Sequence, residues 1–113
     1  MQIQVIDQQQ VDPQRLRSMF IIRALRALDR LAPGILKIVG RFRDLNGPKG
    51  GVDHACTIEV ALRDGTRFRA EARAEQILTA LDDALGRLVR RIDSARKRQL
   101  TRRHSNLLAF DAS

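Results

Sequence analysis

The residues of this chain that could do chemistry are few. His54 and Cys56 sit two positions apart in an alternating stretch, so as parts of a strand they share a face. A zinc site would need further ligands, and the second histidine, His104, stands at no zinc-like spacing from them. A cysteine nucleophile would need a base and a group to orient it, and neither is recognisable nearby, so Cys56 reads as a core residue. Asp82 and Asp83 are the nearest thing to a carboxylate pair. Neighbouring positions on a helix point in different directions, so the two cannot share a proton. The glycines of LNGPKGG, residues 45–51, fit neither a phosphate loop nor a dinucleotide fingerprint. The expectation is a protein without catalytic residues, metal or other cofactor, and with no small-molecule substrate.

What remains is charge. The 113 residues carry 21 Lys and Arg against 13 Asp and Glu, a formal charge of +8 and a pI near 11.3. All but three of the cations are arginine, the residue suited to planar contacts with phosphate and to stacking on bases. Clustered arginine at such a pI is the footprint of a nucleic-acid binder. A membrane-surface helix would want aromatic anchors, and the chain has no Trp or Tyr. No run approaches the length of a transmembrane helix, the N-terminus lacks a signal-peptide pattern, and one cysteine excludes a disulfide framework; a cytoplasmic location is expected.

The cations must be positioned by helices and strands, and hydrophobic periodicity locates these. In residues 74–99, AEQILTALDDALGRLVRRIDSARKRQ, a helical period gathers Ile77, Leu78, Leu81, Leu85, Leu88 and Ile92 on one side. Arg87, Arg90, Arg91, Lys97 and Arg98 fall on the other. From Arg87 to Arg103 the chain has eight basic residues and a single acid, Asp93, which is too one-signed for an ordinary solvated face. An earlier helix is expected over 13–31, capped by Asp12 with Pro13 in its first turn and stopped by Pro33-Gly34. Its core side holds Leu16, Phe20, Ala24, Ala27, Leu28 and Leu31, and its polar stripe Arg15, Arg23, Arg26 and Arg30.

Four alternating stretches read as strands. Residues 2–6 put Ile3 and Val5 inward; residues 35–43 put Leu36, Ile38 and Phe42 inward and Lys37, Arg41 and Arg43 outward. Residues 54–63 place Cys56, Ile58, Val60 and Leu62 on the inner face. After the hairpin signal Asp64-Gly65, residues 66–73 place Phe68, Ala70 and Ala72 inward and Arg67, Arg69 and Arg73 outward. Glu59 and Glu71 interleave with the sheet's cations, so cross-strand pairing should neutralise part of that face, whereas the helix stripes have few counter-charges. The fold class is α+β, in the order β-α-β-β-β-α: a four-stranded sheet with both helices on one face, similar to the double-stranded-RNA-binding module, which also places helices beside a three-stranded meander. One domain over 1–99 and a flexible tail over 100–113, holding Arg102 and Arg103, are expected. With four Phe as its only aromatics, the chain favours phosphate and shape recognition of folded RNA over base stacking.

The element order, the segment NGPKGGVDHACTIEVAL and above all AEQILTALDDALGRLVRRI resemble the short ribosome hibernation-promoting factors, a family that includes the ribosome-associated translation inhibitors. Thr79-Ala80-Leu81-Asp82 answers to the family's Ala-Ala-Ile-Asp run. Arg87, Arg90, Arg91, Lys97 and Arg98 answer to its basic positions. The likeness covers nearly all of residues 1–99; Gln76 departs from it where an acidic cap is usual, and Leu78 where Tyr is common. The resemblance implies a bacterial, cytoplasmic, non-enzymatic protein acting in the stress response. It would occupy the mRNA and tRNA channel of the small ribosomal subunit, its helices meeting rRNA, and so silence or protect idle ribosomes. Two other readings stay open. One is a stand-alone module for double-stranded RNA; the other is a divergent paralogue acting through protein–protein contact, with Leu107, Leu108 and Phe110 of the tail docking on a partner.

Overall fold

In a computed structural model, residues 1–8, 13–45 and 54–111 are described, residue 32 and residues 102–111 by their backbone alone. The elements are β1 (Gln2–Asp7), α1 (Pro13–Leu28), a 3-10 stretch (Asp29–Gly34), β2 (Ile35–Asp44), β3 (His54–Leu62), β4 (Arg67–Ala74) and α2 (Ile77–Asp111). This is the expected α+β order. The Asp12 cap and most of the glycine-rich loop lie outside the described residues.

The sheet order is β1-β2-β3-β4. β2, β3 and β4 form the antiparallel meander, while β1 joins β2 in parallel, Gln2 opposite Lys37 through Asp7 opposite Phe42. A helix lies between β1 and β2, and a parallel neighbour is what a helical crossover supplies.

Alternation puts the core on one face. Ile38 and Phe42 from β2, Cys56, Ile58 and Val60 from β3, and Ala70 and Ala72 from β4 are buried there. Leu16, Phe20, Ala24 and Leu28 of α1 and Leu81, Leu85, Leu88 and Ile92 of α2 close over them. Burying each large side chain of this set stabilises the fold by about 1.5–3 kcal/mol. Ala80 and Ala84, absent from the expected core, are fully buried, small residues that let α2 lie close to the sheet. Phe20 packs edge-on to Phe42, ring centroids 5.8 Å apart. Gly40 is what admits it, since a Cβ there would stand 2.6 Å from the Phe20 ring.

Leu36 is a correction. Alternation along residues 35–43 expects it inward, yet it is 52% exposed while Ile35 is fully buried. The β2–β3 register shifts between Ile35 and Lys37, so the extra residue of a bulge breaks the alternation and turns Leu36 out. α2 also differs from its expected span. It starts at Ile77, with the Gln76 carbonyl accepting the Ala80 N–H, and stays helical past residue 99 to Asp111. The β3–β4 turn is the expected one, with Gly65 at φ 91° and the Thr66 N–H donating to Asp64 Oδ1.

Cys56 lies fully buried, and burial, reinforced by the negative charge of Glu71, pushes its thiol up to about 12. The folded state therefore holds the thiol neutral where the unfolded chain ionises. The contribution is fully present below pH 9.0 and is lost as the pH climbs towards 12. Urea titrations of wild type and Cys56→Ala between pH 8 and 11 should show stability falling more steeply in the wild type; equal slopes would contradict it. Ellman's reagent at pH 8 should label Cys56 only on unfolding.

Candidate nucleic-acid interface

α2 positions most of the candidate cations because its inward stripe is fixed to the sheet. At about 100° per residue, Arg90 and Lys97 face directly away from the core, and Arg87, Arg91 and Arg98 lie on the flank towards β4. The flank residues do more than face solvent. Arg87 Nη1 donates to the backbone oxygen of Glu71 at 2.7 Å and Arg91 Nη1 to that of Arg69 at 2.6 Å. Four residues of helix rise about 6 Å and two residues of strand about 6.7 Å, so an arginine at every fourth helical position meets every second residue of β4. β4 is an outer strand of the sheet, and these guanidinium groups occupy carbonyls that would otherwise invite pairing with another chain. Two of the predicted RNA grips thus have a structural duty as well.

Arg90 Nε and Arg98 Nε donate to the carbonyls of Gly86 and Ser94 one turn back, which holds the guanidinium groups along the helix. Lys97 is exposed. Arg96, in the same basic run, is also exposed, as is Arg17 on α1.

On α1, Arg26 is exposed and Arg30 lies just beyond, in the 3-10 stretch; Arg15 is exposed in the first turn. Arg23 is half-buried and paired: its Nη1 lies 2.5 Å from Asp82 Oδ2 of α2. The helix stripes therefore have a counter-charge that the sequence reading did not assign to them. The pair crosses a groove of about 490 Å³ between the helices, with Arg26 and Gly86 among its walls. A partly exposed ion pair of this kind contributes up to about 1 kcal/mol, so its main effect is to orient Arg23.

The open sheet face is neutralised in part, as expected. Glu59 lies 3.9 Å from both Arg41 and Arg69, and Arg43 reaches Glu71 at 3.3 Å across β3. That bridge passes over the small residues of the central strand, and Ala55 and Thr57 are buried on this outer face. Two acids serve this face beside Lys37, Arg41, Arg43, Arg67, Arg69 and Arg73, so the sheet as well as the helices keeps an excess of cations. Among the described residues no three of His, Cys, Asp and Glu come together as metal ligands, and no described helix is long and apolar enough to cross a membrane.

No protein-family model and no curated protein sequence matches the chain. Solved structures do. A ribosomal subunit interface protein from Coxiella burnetii is similar with a TM-score of 0.69 and 18% identity, over 86% of this chain and 99% of that one. The N-terminal domain of Thermus thermophilus Protein Y is similar with a TM-score of 0.63 and 24% identity, over 81% and 96%. At such identities the likeness is one of fold, and it is the fold that the sequence resemblance implied.

Proposed function

We propose that this protein is a non-enzymatic ribosome-binding factor of the hibernation type. It enters the channel used by mRNA and tRNA on the small subunit, grips rRNA phosphates, and silences or protects idle ribosomes in the bacterial cytoplasm. The observation that carries this reading is α2, a helix anchored to the sheet by one face and presenting arginine and lysine from the others. The fold it shares with a protein described as a ribosomal subunit interface protein supports the same target. The candidate contacts are Arg90, Lys97 and Arg98 on α2 and Arg15, Arg26 and Arg30 at α1. Arg23, Arg87 and Arg91 join them while keeping their contacts within the protein. Positive charge, shape and rigidity suffice for such a plug, and no bond need be made or broken.

Sucrose-gradient sedimentation with purified small subunits tests it. The protein should travel with the subunit at about 50 mM salt and be lost progressively by about 200 mM, because phosphate contacts release counterions. Failure to co-sediment at the lower salt would overturn the reading. Equal affinity for naked duplex RNA would favour the stand-alone module instead.

A further inference from the structure

α2 runs antiparallel to β4, Arg87 over Glu71 and Arg91 over Arg69, so one turn later it passes the first residue of the strand and continues beyond the sheet. At that point a pocket of about 480 Å³ opens, lined by Phe68, Arg90, Arg91, Ser94, Ala95 and Arg98. Phe68 is half-buried: part of it rests on the core, and the rest forms the pocket's aromatic wall. Three arginines line the same pocket, and each is already tied to a backbone carbonyl, Arg90 to Gly86, Arg91 to Arg69 and Arg98 to Ser94. Among the described residues no acidic side chain lines the pocket. Guanidinium groups held before a ligand arrives lose less freedom when it binds. An aromatic face inside a cationic rim of this size fits an unstacked base with its flanking phosphates, since bases stack on Phe and phosphates take charge-assisted hydrogen bonds from arginine.

We propose that this pocket seats one unstacked nucleotide of single-stranded RNA, the base on Phe68 and the adjoining phosphates on Arg90, Arg91 and Arg98. The inference rests on the reading of the protein as an rRNA-contacting factor and adds to it a base contact at one place. Low aromatic content argues against stacking along an extended strand; one half-buried ring at a cationic pocket is enough for a single base.

The chain has no Trp or Tyr, so Phe68→Trp introduces a single fluorescent reporter in the pocket wall. Titration with oligoadenylate RNA should quench it, and inorganic polyphosphate of matched charge should not. Quenching by both alike, or by neither, would overturn the seat. Ala95→Glu in the Phe68→Trp background places a carboxylate in the pocket on a good helix former and should abolish the quenching; quenching that persists would count against it. Phe68→Leu keeps an apolar side chain on the core and should weaken oligoadenylate binding about tenfold or more with the fold intact by circular dichroism. The two readings fail separately. Wild-type protein that ignores small subunits while the reporter is quenched by RNA would remove the ribosomal target and leave the seat. Wild-type co-sedimentation that Phe68→Leu and Ala95→Glu leave unchanged would do the reverse.

Discussion

Reversing charge at Arg90, Lys97 and Arg98 together is expected to weaken co-sedimentation with small subunits by on the order of 100-fold or more, each change replacing a phosphate contact with repulsion. The slope of log affinity against log salt should flatten by about two to three units in the same variant. Its thermal midpoint should stay close to that of the wild type. Lys97 is exposed, and among the described residues the Arg90 and Arg98 side chains bond to carbonyls of their own helix. Arg87→Glu with Arg91→Glu should behave differently. Those substitutions bring carboxylates against the Glu71 and Arg69 carbonyls and uncover the β4 edge, so the midpoint should fall and self-association should rise. A loss of ribosome binding in that pair alone would therefore say little about RNA contact. Should the Arg90, Lys97 and Arg98 variant bind as tightly as wild type, the outward face of α2 is not the interface.

The largest loss of stability is expected at the contact between α1 and β2. Phe20→Ala removes a fully buried ring that meets Phe42 edge-on and covers Gly40, and should cost about 3–5 kcal/mol. That is a large share of what a domain of this size has, so much of the variant should be unfolded at 37 °C. Gly40→Ala attacks the same contact from the other side. Its Cβ would lie 2.6 and 2.7 Å from two atoms of the Phe20 ring, and since both elements are pinned by the core, about 1–3 kcal/mol should be lost. The two changes share one space, so they should not add: Gly40→Ala should be markedly less damaging when Phe20 is already Ala. Urea unfolding of the four proteins measures the coupling, and strict additivity would show that the ring and the strand do not meet as described.

Local pattern and tertiary placement divide the fold between them. The helical faces of Leu16–Phe20–Ala24–Leu28 and Leu81–Leu85–Leu88–Ile92 were legible because a period near 3.6 leaves no other way to bury those residues together. The inward sets of β3 and β4 were legible for the equivalent reason at period two. Leu36 was not, because a bulge inserts one residue and reverses the alternation without a change in composition. The parallel β1 was not, because an edge strand of six residues carries the same alternation in either direction.

The candidate site divides similarly. Composition and spacing by themselves determined that this chain carries an excess of arginine on two amphipathic helices and no recognisable catalytic set. Those are properties of residue type and period, and they hold before any long-range contact forms. Only the tertiary structure decided how each arginine is used. Arg23 is tied to Asp82 across the helix groove, 59 positions along the chain, and Arg87 and Arg91 bond to the carbonyls of a strand edge. Phe68, Arg90, Arg91 and Arg98 line one pocket, formed where α2 overruns the end of β4. The physical reason is reach: a guanidinium on a flexible stem takes the nearest acceptor in space, and periodicity along the chain does not say which acceptor that is.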